Sequence, residues 1–184
     1  MERKTYKNVI ENKKCVTFAL AEIMAEKPFY EISVTEVCKK AGVSKNTFYR
    51  HFENLSDVVF QTATEINNMA LEKNRSIKSK KLSDYIKAGT EIWYEHRKIY
   101  GGFIQDETLY IVQNVFRKGL GAFFYDYISD NGEDNLFVEY FSAVLCVFLK
   151  WWSRNNFAPS PEEMSERITD YFSGEVSGKL EKYL

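Results

Sequence analysis

Apolar residues recur at three- and four-residue intervals along nearly the whole chain, a periodicity that predicts an all-α fold. Val9, Val16, Ala19, Leu20 and Ile23 mark a first helix from about Thr5 to Ala25. Leu55, Val58, Val59, Ala63, Ile66 and Ala70 trace a long later helix, which gives way to the basic and polar run 72–81. That run divides the chain into a first domain over 1–54, a connecting helix over 55–73 and a second helical domain over 82–184. In the second domain Tyr85, Ala88, Ile92 and Trp93 predict a helix to about His96, and Gly101-Gly102 then interrupts the pattern before an irregular or short helical piece. Ile111, Val115, Leu120, Phe123, Phe124 and Tyr127 predict a helix over 108–129, loosened by Gly119 and Gly121 and followed by an Asn131-Gly132 turn. The stretch 135–153 is apolar nearly all round, which suits a helix central to a core or shared between a core and a partner subunit. Ser160-Pro161-Glu162-Glu163 then supplies an N-cap, a first-turn proline and a capping-box glutamate for a last helix.

One short segment departs from plain periodicity. Ser33 with Glu36 forms a capping box, and Val34, Val37, Cys38 and Ala41 present small apolar side chains on one helix side. Gly42 follows where the chain must turn sharply, and Val43 and Ser44 plug the turn and cap a second helix. In that second helix Phe48 and Phe52 share an inward face, leaving Lys45, Asn46, Thr47, Tyr49 and Arg50 outward or flanking. This is a helix-turn-helix pattern, whose second helix suits the DNA major groove. Arg50 can grip guanine and Asn46 adenine through paired hydrogen bonds. Ser33, Ser44, Lys45, Thr47, Tyr49 and His51 complete the expected contact set, most of them toward phosphates, which set register. For His51, local packing or capping is the alternative.

The run Ala41-Gly42-Val43-Ser44 through Phe48-Tyr49-Arg50-His51-Phe52 closely resembles the N-terminal domain of the TetR family of transcriptional regulators, with the likeness extending from about residue 5 to about residue 65. Two positions depart from the family pattern. Glu53 and Asn54 stand where many members carry a phosphate-binding Lys or Arg, and Asn46 replaces a common glycine. The resemblance implies double-stranded DNA as partner, a homodimer reading a palindromic operator, repression as the default outcome, and a small-molecule effector of unidentified chemistry. It further implies that the last two helices pair across a two-fold axis. On that basis Phe141, Leu145, Phe148, Trp152, Ile168 and Phe172 are expected at the dimer interface, with burial in the monomer core as the alternative. Trp93, Phe103, Tyr110, Phe124, Tyr140 and Phe148 are expected to line an effector cavity, each with an ordinary core position as its alternative.

Composition narrows the remaining possibilities. The 184 residues are 45% hydrophobic and 16% aromatic, which fits a folded chain with real cores. The formal net charge is only -1, but it is unevenly spread. Ten basic residues face eight acidic ones over 1–60, ten face seven over 61–124, and five face eleven over 125–184. DNA binding is thus expected at one end, not over the whole surface. Cys15, Cys38 and Cys146 have no zinc or disulfide spacing, and two histidines with no phosphate loop leave no catalytic or metal-binding set. No cofactor is expected. No stretch reads as a signal peptide or membrane span, so a cytoplasmic protein with no membrane partner is expected. The rival to DNA binding is a TetR-fold protein that acts as a protein-binding coactivator, for which Glu53 and Asn54 are the motive.

Overall fold

The computed structural model describes residues 2–77, 82–123 and 134–172. Nine α-helices are present among them: α1 (Glu2–Met24), α2 (Val34–Ala41), α3 (Lys45–Tyr49), α4 (Leu55–Ser76), α5 (Leu82–Glu95), α6 (Arg97–Phe103), α7 (Leu109–Phe123), α8 (Asp134–Arg154) and α9 (Pro161–Tyr171). A single turn of 3-10 helix, Phe29–Glu31, leads into α2. The described part of the chain is all-α, with α1 braced by α2 and α4 at one end and α5, α7, α8 and α9 bundled at the other. The Asn131-Gly132 turn expected from the sequence lies outside the described residues.

The helix starts follow from their caps. Ser33, Ser44, Asn54 and Ser160 each accept a hydrogen bond from the backbone N–H three residues on, satisfying one of the free donors at a helix start. At α9 the box is reciprocal: Glu163 N donates to Ser160 Oγ at 3.3 Å and Ser160 N donates to Glu163 Oε2 at 2.9 Å. Replacing such a cap by alanine typically costs about 1 kcal/mol. Gly42 ends α2 with φ at 67°, a left-handed conformation that suits glycine.

The paired glycines at 101 and 102 do not break the chain as expected; α6 runs straight through them. The reason is a close crossing. A Cβ built on Gly102 would stand 2.1 Å from the Ala21 carbonyl oxygen, so α6 can lie on α1 only where that side chain is missing. Gly119 likewise lets α7 approach α4, because its Cβ would meet the Asn67 amide at 2.2 Å. Both glycines are packing residues in helices, not loosening ones.

A side-chain clamp completes the junction beyond α6. Phe29 N donates to Gln105 Oε1 at 2.9 Å, while Gln105 Nε2 donates to the carbonyls of Lys27, at 3.1 Å, and Met24. The loop that feeds α2 is therefore held by an amide from the far side of α6.

The apolar girdle of α8 resolves into two faces. Val138, Phe141, Leu145, Leu149 and Trp152 are buried in the core, whereas Leu136, Tyr140, Val147 and Trp151 are exposed. At about 100° per residue these sets lie on opposite sides of the helix.

Candidate nucleic-acid interface

The helix-turn-helix is assembled from α2, its glycine turn and α3. Phe48 is wholly buried and Phe52 nearly so, their rings 5.6 Å apart, and together they fix α3 against the core beneath it. Fully burying such a side chain stabilises by about 1.5–3 kcal/mol. With that face committed, Lys45, Asn46, Tyr49 and Arg50 are left exposed on α3 and its C-cap, a row of two cations, an amide and a phenol.

Polar contacts within the motif pre-orient part of that row. Thr47 N donates to Ser44 Oγ at 3.0 Å, and the two hydroxyls share a further hydrogen bond of 2.9 Å. Arg50 Nη2 donates to Thr47 Oγ1 at 3.3 Å, which leaves the other guanidinium donors free. Ser33 caps α2 through a 3.2 Å bond from Glu36 N, and its hydroxyl hydrogen stays available. Lys27 clasps Glu36 at 2.7 Å, and this hydrogen-bonded cation holds the Glu36 carboxyl below its ordinary pKa.

His51 is placed apart from this row. Its Nε2 is buried with no hydrogen-bond partner among the described residues. Burial, with the Arg50 and Lys13 charges nearby, pushes its pKa below the ordinary value and favours the neutral ring. The packing alternative for this residue is the one its geometry favours. A polar chain runs past it: Lys13 Nζ donates to Gln61 Oε1 at 2.9 Å, and Gln61 Nε2 donates to the His51 carbonyl at 3.1 Å and to Asp57 Oδ2 at 2.9 Å. Asn54 caps α4, and the same Asp57 carboxylate accepts from Glu53 N at 2.9 Å.

The aromatic residues expected to share an effector cavity are dispersed. Trp93 stacks on Phe116, 5.2 Å between centroids, beside an interior cavity of about 20 Å³ also bordered by Asn67, Asn74 and Tyr85. That volume holds about one water molecule. Phe103 is fully buried away from it, Tyr110 lies exposed on the outer side of α7, and Phe124 is outside the described residues. Tyr140 and Phe148 instead border an open groove of about 590 Å³ between α8 and α9.

The expected dimer residues are similarly redistributed. Phe141, Leu145, Trp152, Ile168 and Phe172 are buried within the monomer; of the six, Phe148 alone borders the groove. The exposed apolar residues there are Tyr140, Val147, Trp151 and Tyr171, with the Arg167 guanidinium 5.7 Å from the Trp151 ring centre. Val147, Trp151 and Tyr171 are not among the six residues expected at the interface. The signal was present, because a helix apolar all round has a second face, but periodicity alone does not say which face the core takes.

Comparison with known proteins agrees with this architecture. The family model for bacterial regulatory proteins of the tetR family matches residues 19–61, the stretch from mid α1 to α4. A helix-turn-helix transcriptional regulator of Staphylococcus aureus (strain bovine RF122 / ET3-1) is 25% identical over 146 residues, covering 76% of this chain and 78% of that protein. A TetR-family regulator structure from Syntrophomonas wolfei superposes with a TM-score of 0.65 at 14% identity, covering 88% of this chain and 92% of the other. The dihydroxyacetone kinase operon activator DhaS gives a TM-score of 0.56 at 15% identity, covering 87% and 93%. At such identities these two likenesses are of fold. Among the described residues no helix is long and apolar enough to cross a membrane. The motif, the capped helix-turn-helix geometry and the family match agree that residues 19–61 form a helix-turn-helix domain of the tetR type of bacterial regulatory proteins, within a chain that shares the overall fold of TetR-family regulators.

Proposed function

We propose that the protein is a homodimeric repressor that reads a palindromic operator through α3 and responds to a small-molecule effector. The observation that carries this reading is the exposed row of Lys45, Asn46, Tyr49 and Arg50 above buried Phe48 and Phe52. Arg50 and Asn46 read base edges, Lys45 and Tyr49 hold phosphates, and Ser33, Ser44 and Thr47 set the register. Residues 1–54 form the reading head, 55–73 the connecting helix and 82–184 the dimerisation and effector domain.

One short helix touches too few base pairs for useful specificity, so two heads held by symmetry are needed. The apolar groove between α8 and α9 supports dimerisation, since exposed patches of this kind mark interaction surfaces. The effector site grows from the small cavity beside Trp93, where the Asn67 and Asn74 amides stand among apolar walls. An effector acts by favouring the body conformation that misplaces the two heads.

The test is selection of bound duplexes from a random DNA pool at fixed moderate salt, with Arg50→Ala in parallel. Enrichment of a palindrome by the native chain, lost in the variant, is the expected result. The exposed Glu53 carboxylate beside α3 favours the protein-binding coactivator as second reading. Absence of enrichment at every salt concentration would overturn DNA reading in its favour.

A further inference from the structure

A separate cleft of about 510 Å³ opens between α1, α4 and α6, away from the α8–α9 groove and from the cavity beside Trp93. Its volume is within the range of small-molecule sites. Ile10, Phe18 and Met69 stand on its border, each 39–45% exposed, which gathers three large apolar side chains around one opening. Deeper in, Thr17 and Thr62 are buried and share a hydrogen bond of 3.0 Å.

The charges at this cleft are lopsided. Lys13 donates to Gln61 and keeps two further donors. Lys14 is exposed and has neither an ion pair nor a hydrogen bond among the described residues. Glu65 is the opposing carboxylate and forms an ion pair with neither lysine. His96 lies at the α6 side, its Nδ1 tied to the Ile92 carbonyl at 2.9 Å.

Apolar walls bordered by Lys13 and Lys14, neighbours in sequence on α1, suit a ligand with an apolar body and a single negative head. The geometry points to a binding site for a small amphipathic carboxylate, its head on Lys14 and Lys13 and its body along Phe18 and Met69. Ammonium–carboxylate hydrogen bonds are of the strong, charge-assisted kind, so the head sets selectivity. A cation of the same length meets like charge instead. The site is independent of the operator reading. It also borders α1 and α4, which flank the helix-turn-helix, together with α6, so its occupant senses the relative spacing of these elements.

The test is calorimetric titration of the full chain, without DNA, using decanoate and decylammonium, each below its micellar range. Native protein is expected to bind decanoate and not decylammonium. Lys14→Glu and Met69→Glu each weaken decanoate binding by about tenfold or more. Lys118→Glu, an equal charge change on α7, leaves binding unchanged. Both cleft positions are exposed, and circular dichroism verifies that each variant keeps native helix content. Failure of native protein to bind decanoate, binding indifferent to both cleft substitutions, or equal binding of decylammonium overturns the proposal.

Discussion

Two adjacent glycines in α6 offer a sharp test of the packing argument, because alanine should act in opposite directions at them. In Gly101→Ala the new methyl meets only the Phe157 ring, at 3.8 Å, an ordinary contact. Helix propensity then dominates, and the substitution stabilises by up to about 1 kcal/mol. In Gly102→Ala the same propensity gain is offset by a methyl 2.1 Å from the Ala21 carbonyl oxygen and 2.8 Å from two further Ala21 backbone atoms. No rotamer relieves a backbone clash, so α6 must move away from α1 and loosen the Gln105 clamp. Overpacking of this kind costs about 1–3 kcal/mol, and a helix displacement lies at the upper end. The net expectation is a loss of about 2 kcal/mol for Gly102→Ala, with Gly101→Ala neutral to stabilising. Urea unfolding followed by circular dichroism, at one fixed protein concentration because association shifts apparent stability, measures both. Equal midpoints for native protein and Gly102→Ala, or shifts of the same sign in the two variants, would refute the close-crossing account.

Three further outcomes follow from named groups. Trp151→Glu and Val147→Glu place a charge on the exposed face of α8 and should convert a dimer to monomer in sedimentation velocity with helix content unchanged; a native monomer would remove that role from the groove. The Tyr100 hydroxyl is buried without a partner among the described residues, so Tyr100→Phe should raise unfolding stability by about 1 kcal/mol, and a loss of that size would mean the hydroxyl is satisfied. His51 has a folded pKa depressed by burial, so the unfolded chain binds protons more readily. Its contribution is complete above the unfolded value, near 6.5, and is lost as pH falls through the lower folded pKa. The melting temperature of native protein should therefore fall more steeply below pH 6.5 than that of His51→Gln, and parallel profiles would contradict the assignment.

Local chemistry made the helix-turn-helix legible. Ser33, Gly42, Ser44 and Asn54 specify caps and a left-handed turn within a few residues of themselves, and Phe48 and Phe52 fix which side of α3 faces inward. The second half was less legible because its information is relational. Gly102 reads as a breaker until Ala21 is seen against it, 81 positions away. Along α8 both faces are apolar, so the sequence offers no contrast between Phe141, which faces the core, and Tyr140, which does not. Cys38 and Cys146 are buried, and burial pushes the Cys146 thiol up to about 12, which keeps it protonated and unreactive.

The Gln105 clamp bears on how freely such regulators can be recombined. One primary amide supplies an acceptor to Phe29 N and donors to the Lys27 and Met24 carbonyls, a combination that neither a carboxylate nor an apolar side chain reproduces. The loop entering α2 is therefore finished by a residue far downstream of the helix-turn-helix. A helix-turn-helix segment cut after residue 54 and grafted onto another body leaves behind both this amide and the glycine that admits α6. The two halves of this chain are consequently not a cartridge and a socket; exchanging one must carry positions 102 and 105 along as part of the same inheritance.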